Sequence, residues 1–192
     1  MTAGKLNTFV WLHPSQGAAL RSIARANAHA EAEWIASERE RLGIRPDQPT
    51  PESIRLEAFA LRPGTWPTAS HLVETAMRRR LSAPDLAGPW PPFTPDERES
   101  QRLSGRRPGT PNERFTDKVA VDIAPDVIAS AQLAAYRISQ PVVAQLRAEN
   151  LIGPSASRSR AARVRREELQ SQIFTVGRIA REAINRLTAS QG

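Results

Sequence analysis

Two stretches of the chain share one pattern of apolar and polar positions. Residues 68–79 read TASHLVETAMRR, and residues 175–186 read TVGRIAREAINR. Each begins with threonine, whose hydroxyl can cap a helix by accepting a hydrogen bond from a first-turn amide. Apolar residues then recur at helical spacing, with Leu72 of the first stretch matching Ile179 of the second. The pattern predicts two capped helices that are copies of one another.

A short run rich in β-branched, aromatic and other apolar residues lies upstream of each capped helix. Residues 6–13 stop at Pro14, and residues 118–124 stop at Pro125. The second run alternates apolar and polar residues, which indicates a strand with one buried face. Each proline then opens a helical pattern. The chain therefore reads as two copies of one unit: strand, long helix, variable piece and capped helix.

The rest of the chain divides around a proline-rich segment. Residues 82–115 contain seven prolines and no periodic apolar pattern, which is typical of a linker. We expect Trp90 and Phe93 to hold this linker against the folded body. The predicted organisation is a first half at 1–81, the linker at 82–115 and a second half at 116–192, with the halves forming one body.

Helix signals within each half place further helices between the strand and the capped helix. The first half predicts a helix over residues 14–43 and a shorter one that starts from a Thr50 cap and stops at Pro63. In the second half, Pro141 predicts a break and a restart of the helix that follows the strand. The predicted fold class is mostly α, with inserted helices and one two-stranded antiparallel ribbon.

The pattern leaves two registers open for the first strand. In one, Thr8, Val10 and Leu12 face the core; in the other, Phe9 and Trp11 do. A slip of one residue moves every side chain to the opposite face of a strand.

The charge of the chain indicates the chemical class of its partner. The formal net charge is +7 and the sequence pI about 11.2, which is typical of proteins that bind polyanions, nucleic acid above all. A GC-rich genome, which favours arginine codons, is the alternative explanation. The arginine-rich run at 158–166 is interpreted either as a solvated helix or arm, or as a segment that contacts phosphates.

Catalytic chemistry is not indicated. The three histidines lie in separate segments without metal-ligand spacing, cysteine is absent, and no phosphate-binding glycine loop occurs. We expect no enzymatic activity, no metal and no cofactor. No apolar run approaches the roughly 20 residues that span a bilayer, so we expect a cytoplasmic protein without membrane partners.

A short strand followed by two helices, the second with a Ser/Thr/Gly-rich N-terminus, resembles the ribbon-helix-helix family of DNA-binding proteins. The resemblance is carried by residues 7–14 and 68–72 in the first half and by residues 118–126 and 175–179 in the second. Family members dimerise, and the paired strands enter the major groove. Two copies in one chain imply a pseudo-dimer, similar to plasmid-encoded conjugation and DNA-transfer accessory proteins.

The resemblance implies two sets of DNA-contacting residues. Asp122 departs from the family pattern, because a carboxylate suits a cytosine amino group but repels phosphate. The implied base-reading residues are Lys5, Asn7, Phe9, Trp11, Lys118, Ala120 and Asp122. The implied phosphate-binding residues are Thr68, Ala69, Ser70, Thr175, Val176, Gly177 and Arg178.

The expected function is binding of double-stranded DNA, as a plasmid or mobile-element transcriptional regulator or a DNA-transfer accessory factor. Other DNA-processing or transfer proteins, and further association of pseudo-dimers on DNA, are the additional partners this implies. The alternative is a helical protein–protein interaction module that binds no nucleic acid, in which both threonines only cap helices.

Overall fold

A computed structural model describes residues 4–98 and 115–189 of the chain. These residues are mostly helical and include one two-stranded antiparallel sheet, as the sequence predicts. The remainder of the predicted linker, at 99–114, lies outside the described residues, as do 1–3 and 190–192. In chain order the elements are β1 (Leu6–Leu12), α1 (Pro14–Arg41), α2 (Glu52–Thr65), α3 (Ala69–Leu81), β2 (Asp117–Ile123), α4 (Pro125–Ala148), α5 (Arg160–Ser171) and α6 (Val176–Ala189).

The two strands form an antiparallel ribbon with Phe9 opposite Ala120. One face of the ribbon is buried, and this selects the register in which Phe9 and Trp11 point outward. An isolated two-stranded ribbon is marginal in water, so this buried face is what stabilises it. The buried ribbon residues are Val10, Leu12, Val119, Val121 and Ile123.

The buried face of the ribbon packs on the two capped helices, α3 and α6, and on the first turns of α1 and α4. Positions that match in the repeated sequence are buried in both copies. The matching buried pairs are Leu72 with Ile179, Val73 with Ala180, Ala76 with Ala183, and Met77 with Ile184. The order strand, long helix, shorter helix and capped helix therefore occurs twice, with the same helix face in the core each time.

The second helix of each half packs near the far end of the long helix rather than on the ribbon. Trp34 of α1 lies 5.4 Å from Trp66, ring centre to ring centre, just after α2. In the second half, a separate small apolar cluster joins the end of α4 to α5. Its buried members are Leu146, Leu151, Ala162, Leu169 and Ile173.

Two predicted helix boundaries are wrong. Helix α4 continues through Pro141, although an interior proline lacks an amide hydrogen bond and its ring crowds the carbonyl four residues earlier. The neighbouring Ser139 is fully buried and hydrogen-bonded to both backbone groups of Phe174, which offsets this cost. Helix α2 has no side-chain cap, and it runs through Pro63 to Thr65. The hydroxyl of Thr50, expected to cap it, instead accepts a hydrogen bond from Arg39.

The described part of the linker is held against α4. Phe93 packs edge-on against Tyr136 at 5.2 Å between ring centres, as expected. Arg137 donates to the carbonyl of Pro91 and pairs with the Glu97 carboxylate. The half-buried Trp90 donates its indole N–H to Leu86 within the linker itself.

Low pH should break the ion pair between Arg137 and Glu97, which holds the linker on α4. The hydrogen bonds from Arg137 lower the pKa of Glu97 from 4.5 to about 2. Because the folded-state pKa is the lower one, the contribution to stability is complete above the ordinary value and is lost as pH falls toward 2. We expect an NMR titration of the Glu97 carboxyl carbon to give a midpoint near 2 in the natural chain and near 4 in Arg137→Gln. A midpoint near 4 in the natural chain would contradict the anchor.

The buried face of the ribbon should dominate its stability. Leu12→Ala removes a fully buried side chain, and we expect a loss of about 3 kcal/mol in the free energy of unfolding. Leu6→Ala makes the same change in the same strand where the side chain is 49% exposed, and it should cost about 1 kcal/mol or less. Urea denaturation measures both; equal losses would contradict the assigned register.

None of the helices in the described ranges is long and apolar enough to cross a membrane.

Candidate nucleic-acid interface

The outward face of the ribbon is a narrow, solvent-exposed strip that bears large aromatic residues. Phe9 is 50% exposed and Trp11 is 44% exposed. Exposed apolar surface of this kind commonly marks a site of interaction. The strip, hereafter the ribbon face, consists of Asn7, Phe9, Trp11, Lys118, Ala120 and Asp122, all of them exposed.

One end of the ribbon face carries a cation over aromatic rings. The Lys118 Nζ lies 3.8 Å from the centre of the Phe9 ring and 5.8 Å from that of Trp11. Ring faces attract ammonium groups, with about 0.5–1 kcal/mol at exposed sites. The contact holds the ammonium on the ribbon face, where its three N–H donors are available to an acceptor.

The other end of the ribbon face carries an amide and a carboxylate. Asn7 donates from Nδ2 to Oδ1 of Asp122 at 2.9 Å across the strands. This bond uses one donor of the amide and leaves the Asn7 Oδ1 and the second Asp122 oxygen as acceptors. The two ends of the ribbon face therefore differ in hydrogen-bonding character.

The N-termini of α3 and α6 flank the ribbon. Thr68 Oγ1 accepts from the His71 amide at 3.4 Å, and Thr175 Oγ1 accepts from the Arg178 amide at 3.0 Å, so both predicted caps are present. In each helix, the two amides between the cap threonine and the residue that donates to it have no partner in the described part of the chain, and they lie at the positive end of the helix dipole. These amides belong to Ala69, Ser70, Val176 and Gly177.

Side chains tie both helix ends to the ribbon. Ser70 Oγ accepts from the Asp122 amide at 3.0 Å, and Arg181 donates to the Trp11 carbonyl at 3.4 Å. One backbone group on the outer edge of each strand is thereby paired, and these bonds connect the ribbon to both helix ends. Ser70 thus binds the ribbon through its hydroxyl, while its amide remains available to an anion.

Two of the predicted DNA-contacting cations form ion pairs with glutamates of the flanking helices. Lys5 precedes β1 and pairs with Glu74 at 3.2 Å. The Arg178 guanidinium pairs with Glu182 at 2.9 Å and lies over the Phe174 ring. Both side chains therefore have ion-pair partners within the fold.

The arginine-rich run at 158–166 lies mostly in α5, as a solvated helix rather than an arm. Arg165 pairs with Glu149 and Glu168. Arg158, Arg160 and Arg163 are exposed and form no ion pair with any described residue. Helix α5 packs on the far end of α4, away from the ribbon.

Sequence reasoning missed two arginines near the ribbon. Arg181 contacts the Trp11 carbonyl and lies 3.5 Å above the Phe115 ring. Arg21 makes a two-pronged contact with Asp117, which lowers the pKa of that carboxyl. Gly17 allows this contact, because a Cβ there would overlap the carboxylate. The helical pattern that begins at Pro14 places Gly17 and Arg21 on the first turns of α1. Their partner, Asp117, is 96 residues further along the chain than Arg21.

At the α3 flank of the ribbon, the surroundings favour the neutral form of His71 and the ionised form of Glu74. Partial burial, followed by the Lys5 charge, lowers the pKa of His71. Partial burial alone would raise the pKa of Glu74, but hydrogen bonds from Arg78 and Lys5 outweigh it and lower the pKa. Glu74 therefore keeps its charge at the α3 flank of the ribbon.

Neither a metal centre nor a relative defines this site. Within residues 4–98 and 115–189, no group of three or more histidine or acidic side chains is arranged to hold a metal ion. No protein-family model, curated protein or solved structure matches the chain. The fold places the chain in the class of mostly helical proteins with one antiparallel ribbon. The ribbon face and the helix N-termini beside it are its candidate site.

Proposed function

We propose that the chain binds double-stranded DNA with its ribbon face in the major groove. The observation that carries the proposal is an exposed two-stranded ribbon held between two helix N-termini with unpaired amides. The major groove, about 12 Å wide, admits a two-stranded ribbon. Amides at a helix N-terminus bind phosphate oxygens, so both flanks suit the backbones on either side of the groove.

The proposal treats the two halves as the subunits of one ribbon-helix-helix pseudo-dimer. Phe9 precedes Pro14 by five residues, as Ala120 precedes Pro125, so these two residues are equivalent in the repeat. They are also directly opposite one another in the ribbon. Pairing of equivalent residues is what a two-fold axis through the ribbon produces, and it supports the pseudo-dimer. The inserted helices α2 and α5 are additions to this plan.

The chemistry of the ribbon face fits base edges. Lys118 suits the guanine acceptors, and Asn7 suits adenine. Exposed Phe9 and Trp11 and the small Ala120 offer apolar contact to thymine methyl groups. Asp122 accepts from the cytosine amino group. The phosphate contacts come from the amides at residues 69–70 and 176–177, and the net charge of +7 adds sequence-independent attraction.

We place this activity in the cytoplasm, in a plasmid or mobile-element transcriptional regulator or a DNA-transfer accessory factor. Other DNA-processing or transfer proteins are the partners such a role implies, and pseudo-dimers would associate further on adjacent sites. The basis for this assignment is the resemblance of the tandem strand-and-helix plan to such proteins.

Fluorescence anisotropy with a labelled random duplex over a salt series tests the proposal. Neutralising four phosphates would give a plot of log affinity against log salt with a slope of about −3.6. We expect micromolar or tighter binding at low salt and a slope at least that steep. Absence of binding at low salt would overturn the proposal.

The alternative, a helical interaction module, also has an observation in its favour. On the outer face of α2, Phe59 is 68% exposed and Leu56 is 61% exposed, one turn apart. Such a face is typical of helices that dock on a protein partner. Phe59→Ser should leave duplex affinity unchanged if the ribbon binds DNA, because α2 packs on the far end of α1. If the chain had no affinity for DNA, the exposed face of α2 would be the better candidate for its interaction surface.

A further inference from the structure

We infer that the DNA target lacks two-fold sequence symmetry and that the chain binds it in one orientation. The Asn7–Asp122 end of the ribbon face meets an exocyclic amino group of cytosine or adenine. The Lys118–Trp11 end meets guanine, about four base pairs away. This inference rests on the proposed function and deepens it by naming what the site distinguishes.

Equivalent positions of the repeat carry different chemistry. Counting back from the two prolines, Asn7 is equivalent to Lys118 and Trp11 to Asp122. Across the ribbon, Asn7 lies opposite Asp122 and Trp11 opposite Lys118. In a homodimer both ends would present the same pair of side chains. Here the backbone pairing is symmetric about Phe9 and Ala120, but the side chains are not.

The two ends also differ in the groups they leave available. At one end, the Asn7–Asp122 hydrogen bond consumes a donor and leaves carbonyl and carboxylate oxygens, which accept from amino groups. At the other, Lys118 carries only donors, and Trp11 beside it is apolar. In the major groove, cytosine N4 and adenine N6 are donors, whereas guanine O6 and N7 are acceptors. The Asn7–Asp122 end therefore favours bases with an exposed amino group, to which it offers several acceptors and one remaining amide N–H, whereas the Lys118 end favours guanine.

The two helices that flank the ribbon also differ in charge, in the same direction as the two ends of the ribbon face. Glu74 and Arg181 each follow their cap threonine by six residues and are equivalent in the repeat. Glu74 accepts from the Ala124 amide, beside the Asn7–Asp122 end, and Arg181 donates to the Trp11 carbonyl at the opposite end. Glu74 is itself paired with Lys5 and Arg78. The difference in charge between the two ends therefore comes mainly from Lys118 and Arg181 at one end and Asp122 at the other.

The length of the ribbon sets the spacing of the two contacts. Asn7 and Trp11 are four residues apart on one strand, which at about 3.4 Å per residue is roughly 14 Å. Base pairs along a duplex are also about 3.4 Å apart. Lys118 lies opposite Trp11, so with its ammonium moved off the central Phe9 ring toward that end, the amino-group contact and the guanine contact are expected about four base pairs from one another.

Selection of bound sequences from a randomised duplex pool tests the inference with the full chain. We expect a consensus that is not palindromic, with cytosine or adenine at one end and guanine on the other side of about four base pairs. Replacing either half-site by the inverted copy of the other should weaken binding at least tenfold. A palindromic consensus overturns the inference alone. No binding to any duplex at low salt overturns the proposed function and the inference together.

A double variant that gives both ends of the ribbon face the same pair of side chains tests the inference from the opposite direction. Asn7→Lys combined with Trp11→Asp gives both ends the same lysine–aspartate pair across the strands, at exposed positions. Cross-strand pairs of opposite charge are mildly stabilising, so the fold should be retained, which circular dichroism checks. We expect this variant to select a palindromic site. Selection of the natural chain's site by the variant would count against base reading by these side chains.

Orientation can be measured directly because the chain has no cysteine. Thr65→Cys and Gln172→Cys introduce single thiols at exposed, equivalent positions three residues before each cap threonine. An iron chelate that cleaves DNA, attached to either thiol, should cut the selected site at one end only, and the two variants should cut at opposite ends. Equal cutting at both ends by each variant overturns the fixed orientation.

Discussion

Ala120→Glu should weaken affinity for duplex DNA at least a hundredfold. Ala120 lies at the centre of the ribbon face, opposite Phe9, and it is exposed. A glutamate there would carry a negative charge into the middle of the major groove, between two phosphate backbones. Like charges brought together in an interface cost several kcal/mol, and a hundredfold loss corresponds to about 2.7 kcal/mol.

A matched control separates this local effect from the change in net charge. Ala144→Glu makes the same substitution at an exposed position of α4, 19 residues and about 28 Å beyond Pro125 along the helix. We expect it to lower affinity only severalfold, through the reduced net charge. Both variants should melt within a few degrees of the natural chain, because neither residue is in the core. Equal affinities for the two variants would mean that the ribbon is not the DNA-binding surface.

The repeat made most of the fold predictable from the sequence. The capped helices share both a threonine start and an apolar stripe, and the stripe is the face that is buried in both copies. The alternation in β2 identified its buried face without ambiguity. In β1, Phe9, Val10, Trp11 and Leu12 are all apolar, so the local pattern gave no preference. The register followed only from tertiary packing, which buries Val10 and Leu12.

The errors at helix boundaries have a common physical origin. Proline and threonine signals describe local preference, whereas tertiary contacts decide at each boundary. Burial of Ser139, with two hydrogen bonds to Phe174, helps to keep α4 continuous where Pro141 would favour a break. The bond from Arg39 draws Thr50 away from the cap position.

The candidate site was only partly accessible to sequence reasoning. Alternation identified the outward residues of β2, whereas in β1 the resemblance named Asn7, Phe9 and Trp11 as base-reading residues while both registers stayed open. The pairings that give the two ends their character join residues more than 100 positions apart: Asn7 with Asp122, and Lys118 with Phe9. No local pattern encodes such pairs. Arg181 was missed for the same reason, since its partner Trp11 is 170 residues away.

Arg80→Met should lower the free energy of unfolding by about 3 kcal/mol. Arg80 is 3% exposed, and its guanidinium donates to Asp85 in the linker and to Glu182 on α6. It thereby joins α3, α6 and the linker at the back of the core. Hydrogen bonds to charged groups contribute about 1.5–3 kcal/mol each, and Arg80 loses such bonds to two carboxylates. Both carboxylates are partly exposed and regain water, which places each contribution at the low end.

The adjacent residue supplies the control for Arg80. Arg79→Met makes the same chemical change one position earlier on α3, at an exposed side chain, and should alter stability by less than about 0.5 kcal/mol. Urea denaturation of both variants gives the comparison. Because Arg80 links the two capped helices, its loss should also loosen the ribbon between them, and duplex affinity should fall by more in Arg80→Met than in Arg79→Met. Equal stabilities would show that α3 and α6 are held by their apolar faces alone.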